Sequence, residues 1–359
     1  MRIEISRNIA DIPLDKETWN KLVSTNATNS IFQTYEWFIS WWECFENDND
    51  LIFLVAYENN SINAFAPLML SNSTLGSSTI KFVGDGNSDY CDFVIKGNRN
   101  KAINAFLSYL DTSNIKWTSF ELNNIPSNST SRACIESFCI NNNLHVKIRN
   151  STPTPTLILN KNIEDVKKLT KKYSVTRHVN KLNKAGNVTF DHLTDKESIK
   201  LRINDFFDQH INRYNLKGTK SLFKSNNNRE FYLNIINKLD NTNWLLFSIL
   251  YLDEEPIAYH LGFTYNKSFI WYKPSFDIKY RTYSPGTVLL KNLIEYSIKE
   301  SMDEFDFTIG DEVFKSRFSN FKGENYNLSI YKSKALYNAC SIRHLLGYIF
   351  NRIKIKLVK

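Results

Sequence analysis

The sequence predicts an α+β fold, built twice from mixed sheets with helices packed on them. Three observations carry that expectation. A pair of strand-like runs, LIFLVAY (51–57) and INAFAPLML (62–70), returns as LLFSILYL (245–252) and IAYHLGFTY (257–265). The polar turns ENNS (58–61) and DEEP (253–256) separate the members, and Ile62 and Ile257 restart the second strand at the same offset. Around each pair the elements follow one order: two helices, the hairpin, a third strand, a helix, a strand, a helical stretch and a last strand. Finally, 359 residues exceed one ordinary core, and ~150 residues per domain suggests two. A single repeat of this size points to duplication of a whole domain rather than a solenoid.

The helices are read from spacing. Phe38, Trp41, Trp42 and Phe45 fall at i, i+3, i+4, i+7, as do Ile103, Phe106, Leu107, Leu110 and Tyr232, Ile235, Ile236, Leu239. The run Ile199, Ile203, Phe206, Phe207 and the run Leu289, Leu290, Leu293, Ile294 read similarly. Further strands are expected at TSFELN (118–123), SFIWYK (268–273), EFDFT (304–308) and YNLSIYK (326–332). NSTPTPT (150–156) is the expected linker, because its prolines bar helix on both sides. The expected domains are therefore 1–150 and 151–335, followed by a tail over 336–359.

Composition narrows the function classes. Apolar content of 42% with 14% aromatic is enough for two cores and excludes global disorder. The longest uninterrupted apolar run, Leu51 to Tyr57, is far short of the ~20 residues of a membrane span. MRIEISRNIADIPLD has no apolar stretch for a signal peptide, so a cytoplasmic protein is expected. Five cysteines without a C-x-x-C fit reduced core residues. The net charge of +8 belongs to the tail: from Tyr331 onward there are seven basic residues and no acid, against 38 basic and 37 acidic before it. It does not support a nucleic-acid-binding body, and no DNA partner is expected. No G-x-x-x-x-G-K-[ST], H-E-x-x-H or G-x-S-x-G occurs. Gly84-Asp85-Gly86-x-x-Asp89 places an acid where a dinucleotide loop needs its third glycine. The six histidines have no i, i+4 pair and no nearby cysteine, so no metal is expected.

The stretch that carries chemistry is SFIWYKPSFDIKYRTYSPGTVLLKNLIEYSIKE. A strand passes through a loop to Ser284-Pro285-Gly286-Thr287 and an apolar-periodic helix. Ser284 reads as N-cap and Pro285 as the first helical residue. Gly286 leaves the backbone open to a ligand, and the helix start is a ready anion site, to which Arg281 can add a charge-assisted bond.

Arg281-x-x-Ser284-x-Gly286 resembles the R/Q-x-x-G-x-G/A loop with which GNAT enzymes cradle the pyrophosphate of acyl-CoA, with Ser284 at the first glycine. Phe276-Asp277…Tyr280…Ser284-Pro285-Gly286…Leu289-Leu290 and Phe305-Asp306-Phe307-x-x-Gly310-x-x-x-Phe314-Lys315 are similar to motifs of two-domain, FemAB-like GNAT acyltransferases, often linked to polysaccharide or cell-envelope synthesis. YEWFISWWECF and FVGDGNSDYCDFVI resemble the first-half elements of that family, so the resemblance runs from Phe32 to Tyr331. Phe276 and Phe314 stand where tyrosine is common. The resemblance implies a tandem GNAT fold and an acetyl-CoA or other acyl-CoA donor, held in the second half by Arg281, Ser284, Gly286 and Thr287. GDGNSDYCD takes the place of that loop in the first half, where its acids would repel phosphate.

Acyl transfer needs a base and an oxyanion partner. Asp277, Asp306, Asp311 and Glu312 are the nearby carboxylates, and Lys315 is the cation placed to pair with one or polarise a carbonyl. Asp306, Asp311, Lys315 and Asp277 are the expected catalytic set, with the anchoring of the motif as the alternative for Asp306. His260 and the tryptophans at 37, 41 and 42 are expected in the core. Asp85, Asp89, Tyr90 and Asp92 either line an acceptor cleft or form a solvated loop. The expected acceptor is an amine or hydroxyl of a small-molecule or lipid-linked saccharide. An aminoacyl-tRNA-dependent enzyme of the same fold and a non-catalytic binding scaffold are the alternatives; the basic segment 167–184 either meets donor phosphates or RNA, or is a solvated helix face. In the tail, Ile342, Leu345, Leu346, Ile349, Phe350 and Ile353 form an apolar stripe beside Arg343, Arg352 and Lys354. Peripheral membrane contact through 341–359 is the expectation there, against simple packing on the second domain.

Overall fold

Asn59 and Asn60 (φ 50° and 59°), and again Asp253 and Glu254 (φ 49° and 68°), place two consecutive residues in the left-handed region. That is the backbone of a two-residue hairpin turn, whose twist matches the strands it joins. The computed structural model describes residues 1–73, 76–161 and 163–339. Its first half runs β1 (Arg2–Ser6), α1 (Lys16–Thr25), α2 (Tyr35–Phe45), β2 (Asn49–Glu58), β3 (Ser61–Asn72), β4 (Ser78–Phe82), β5 (Val94–Ile95), α3 (Arg99–Thr112), β6 (Ser119–Pro126), α4 (Ser131–Asn141) and β7 (His145–Ile158). The second runs α5 (Ile163–Thr170), α6 (Tyr173–Asn183), β8 (Val188–Leu193), α7 (Lys196–Lys200), α8 (Ile203–Leu216), α9 (Asn226–Leu239), β9 (Leu245–Leu252), β10 (Glu255–Tyr265), β11 (Ser268–Phe276), α10 (Pro285–Lys299), β12 (Glu304–Asp306), α11 (Val313–Phe318) and β13 (Phe321–Tyr331).

The chain folds as two units that are not contiguous in sequence. One comprises Met1–Thr28, Glu46–Ser151 and the chain from Asn325 onward; the other comprises Asn29–Phe45 and Thr152–Glu324. The division expected at 1–150 and 151–335 is corrected in two places. α2 is apolar all round, with Trp37, Phe38, Ile39, Trp41 and Trp42 buried, and it packs on α9 of the second unit, where Trp37 meets Phe231 at 5.2 Å and Lys238 pairs with Glu43 at 3.0 Å. Conversely, β13 pairs with β6, which puts Leu328 and Ile330 into the first core beside Leu122, Phe106 and Ile135.

In the first unit the strand order is β1-β2-β3-β4-β6-β13, with β4 and β6 parallel. In the second it is β7-β12-β11-β10-β9-β8, with β11 and β12 parallel. Every residue of β9 is buried. Its Leu246, Leu250 and Leu252 join the core under α10, while Phe247 and Tyr259 meet Phe206 of α8 on the other face. Helices thus cover both faces, the layering of a mixed sheet.

Three expected elements differ. Residues 150–156 lie within β7 rather than in a linker, because the Pro153 and Pro155 carbonyls still accept from Gly310 and Phe307 at 2.9 and 3.1 Å. The periodic run from Ile199 to Phe207 is two helices, α7 capped by Asp195 and α8, separated at Leu201, which is 80% exposed. The strand expected over 304–308 stops at Asp306, whose carboxylate accepts the Thr308 amide at 2.7 Å while Thr308 turns to φ 55°. Among the described residues no helix is long and apolar enough to cross a membrane. The apolar stripe from Ile342 to Ile353, and Cys340, lie outside the described residues. Cys44, Cys91, Cys134 and Cys139 are free and buried, and burial pushes their thiols up.

Candidate active site

The Asp306 turn has a larger consequence than ending a strand. β11 and β12 pair only over Ser268–Ile270 and Glu304–Asp306. Beyond that, β11 continues to Phe276 while Phe307 and Gly310 bond to β7, so the two strands part. β11 also bulges: Leu261 pairs with Lys273 and Phe263 with Ile270. A bulge leaves ladder groups unpaired, and side chains take them. The Tyr272 amide donates to His260 Nε2 at 3.1 Å, and Thr308 Oγ1 donates to the Trp271 carbonyl at 3.3 Å. The His260 ring stacks on Trp271 at 4.3 Å and fits only because residue 262 is glycine, where a Cβ would lie 2.1 Å from its Cε1. Burial pushes its pKa down to about 3, so it is a neutral core histidine.

Where β11 ends, Asp277 starts a 3-10 turn over Ile278–Tyr283, its carboxylate accepting the Lys279 amide at 2.9 Å. Ser284 follows at φ 55° and Pro285 opens α10. Ser284 occupies the cap position as expected, but its side chain makes no cap bond. The left-handed backbone turns its carbonyl inward instead, where it accepts the Thr287 and Val288 amides at 2.9 and 3.3 Å. Among the described residues, Gly286 is then the first-turn amide without a protein acceptor. A Cβ at Gly286 would make an ordinary contact with the Phe276 ring at 3.4 Å. Arg281 is exposed and Thr287 half-buried. Lys181 of α6 donates to the Thr282 carbonyl at 2.9 Å and lies over Tyr283 at 5.0 Å, which brings the basic segment 167–184 against this loop.

Across the opening, Lys315 is 5% exposed, with Nζ 2.6 Å from the Ile309 carbonyl and 3.1 Å from Glu312 Oε2. Gly310 is at φ 138°, and a Cβ there would lie 2.1 Å from Glu312 Oε2 and 2.7 Å from Lys315 Nζ. Gly310, Glu312 and Lys315 are therefore drawn together. Asp306 is buried at the turn before them, Asp311 is exposed, and Asp277 stays with the donor-side loop.

Arg213 of α8 was not expected. Its Nη1 donates to the Pro274 carbonyl at 3.2 Å and its guanidinium lies over Phe276 at 4.2 Å. Burial pushes its pKa down, opposed by Tyr214 and Glu312. A lone arginine in a helix reads as solvated face, so spacing carried no signal for it.

The first unit has filled the corresponding place. Asn98 caps α3 through the Lys101 amide at 3.0 Å. Asp92 is buried against Arg99 at 2.9 Å and accepts from Thr28, Ser129 and Ser131. Asp85 holds Asn123 at 2.7 Å, and Asp89 is buried. The solvated-loop reading is corrected: Asp92 and Asp89 are buried, and Asp85 and Asp92 are paired inside the unit.

Residues 170–316, which contain the helix start and the Lys315 cluster, match the family model described as an acetyltransferase (GNAT) domain. Over that segment the second half is similar to a GNAT acetyltransferase domain. The crystal structure of FemX superposes with a TM-score of 0.67 at 10% identity, covering 94% of this chain and 99% of that one. The C-terminal domain of a putative lysylphosphatidylglycerol synthetase from Agrobacterium fabrum gives 0.55 at 12%, covering 90% and 95%. A tandem GNAT protein from the clavulanic acid biosynthesis pathway gives 0.50 at 10%, covering 92% and 99%. No curated protein matches the sequence. At these identities the likeness is one of fold: a FemAB-like tandem GNAT fold.

Proposed function

We propose that the GNAT domain moves an acetyl or other acyl group from acyl-CoA to an amine or hydroxyl of a sugar or cell-envelope precursor. The observation that supports this most is the helix start at Ser284–Thr287 beside strands that have parted. In this reading Gly286 and Thr287, with Ser284 setting the backbone and Arg281 adding charge, take the pyrophosphate. The thioester arm enters between β11 and the segment after β12. Lys315, held by Glu312, is the cation that stabilises the oxyanion, and Asp306 is a positioning residue that keeps the strands apart. Asp277 and Asp311 are the carboxylates open to receive the acceptor's proton. The nucleophile attacks the carbonyl carbon, the new C–N or C–O bond forms, the C–S bond breaks, and the thiolate takes up a proton.

A second reading replaces acyl-CoA with aminoacyl-tRNA. It is favoured by α6, whose Lys181 already touches the donor loop and which carries Arg177 on the same helix. Calorimetry tests the first reading. CoA should bind the intact protein and fail to bind Gly286→Glu, which sets bulk and negative charge against the phosphates. Equal affinities, or no CoA binding at all, would remove it. Release of free thiol from acetyl-CoA on adding an acceptor separates enzyme from scaffold.

A further inference from the structure

α6 is tied to both sides of the opening. Lys172, its cap residue, donates to the Arg317 carbonyl of α11 at 3.0 Å. Lys181, in its last turn, donates to the Thr282 carbonyl of the donor loop at 2.9 Å. Nine residues of helix rise about 14 Å, so α6 runs from the Lys315 side to the Ser284 side. Val175 and Leu182 anchor it there, buried in the core under α10.

Its charges are of one sign where it meets the loop. Arg177 stands one turn before Lys181, about 6 Å along the axis and on the same face. Both are exposed, as is Arg281 of the loop, and among the described residues none of the three forms an ion pair. The acids of the preceding helix are engaged within it, Glu164 by Lys167 at 3.0 Å and Asp165 by Lys168 at 2.7 Å. His178, half-buried between the two cations, has its pKa pushed down by burial and then by Arg177 and Lys181. Like charges held a turn apart repel, and an anion set between them relieves the repulsion.

In the acyl-CoA reading the pyrophosphate takes the Gly286 end of the loop, so the α6 flank meets a second, separate anion. CoA carries one, a 3′-phosphate on the ribose whose 5′ oxygen holds the pyrophosphate. The two anions are one sugar ring apart, the same order of distance as the helical turn from Lys181 at the loop to Arg177. A phosphate monoester presents three acceptor oxygens, enough for a guanidinium fork and an ammonium together. We propose that Arg177 and Lys181 hold the 3′-phosphate of CoA and select CoA over donors that lack it. The assignment rests on the acyl-CoA reading and makes α6 a wall of the donor channel.

The test compares CoA with 3′-dephospho-CoA by calorimetry on the intact protein, since the two differ only in that phosphate. CoA should bind about tenfold tighter. Arg177→Gln, at an exposed position, should weaken CoA about three- to tenfold and leave dephospho-CoA as it was. Lys181→Gln should weaken both ligands, CoA more, because Lys181 also holds the Thr282 carbonyl. Lys168→Gln removes the same charge from α5 and should change neither. Equal affinity of the intact protein for the two ligands, or a loss of CoA affinity as large in Lys168→Gln as in Arg177→Gln, overturns the site and leaves the acyl-CoA reading standing. No binding of either ligand removes that reading and the site with it. Binding of an aminoacyl-tRNA that weakens in Arg177→Gln while CoA affinity holds overturns the site and gives α6 to the second reading.

Discussion

Lys315 is a buried cation with one carbonyl and one carboxylate for company, at a place where Gly310 leaves no room for any side chain. On the proposed role of Lys315 at the oxyanion, Lys315→Met should lower kcat by at least tenfold while CoA affinity holds. Asp306→Asn should act differently. It keeps an oxygen for the Thr308 amide, so the turn survives and the loss is smaller. Steady-state kinetics with parallel CoA calorimetry checks both; wild-type turnover in folded Lys315→Met would end its role. At this scale the sequence was legible where a residue's own chemistry fixes a backbone, as at Pro285, which opens α10 as expected. It misled at Ser284, where Ser-Pro reads as a side-chain cap but the left-handed φ makes the carbonyl the cap. Arg213 had no local signature, because its place over the Phe276 ring is set by the packing of α8 on β11.

At the scale of elements, the covered faces of the second unit's sheet trap imidazoles. Burial, then Arg213, pushes His210 down to about 3, and burial does the same for His260. In the unfolded chain both have pKa values near ~6.5. Above that pH neither state is protonated and stability is full. As pH falls, only the unfolded chain takes up protons, so stability drops by about 1.4 kcal/mol per pH unit for each histidine. The urea midpoint should fall between pH 7 and pH 5, and a His210→Gln variant should show a shallower fall. A midpoint independent of pH over that range contradicts the burial of both rings. The hairpins were legible here because period-2 apolar runs and polar turns are local. The single helix read over Ile199–Phe207 was not, since periodicity alone does not register the break at Leu201.

At the scale of the whole molecule, duplication was visible because element order survives where identity does not. The exchange of α2 and the end of β13 was not, since an apolar stripe states that a helix is buried but not against which core. The basic tail carries a prediction of its own: we propose cytoplasmic protein held at the inner face of the membrane through 341–359, near a lipid-linked acceptor. Each basic residue near an anionic surface contributes up to ~1 kcal/mol. Full-length protein should float with anionic liposomes at low salt, and a chain ending at Ser333 should not; equal flotation would leave the tail structural.

The place of β13 also sets an order of assembly during synthesis. The first unit lacks its last strand until Asn325–Tyr331 has been made, roughly 180 residues after Ser151. At ~5–20 residues per second, its unpaired β6 edge waits roughly 10–35 s on the ribosome. For that interval the nascent first half carries an open sheet edge, and slowing translation late in the message should raise its misfolding even though the affected codons encode the other half.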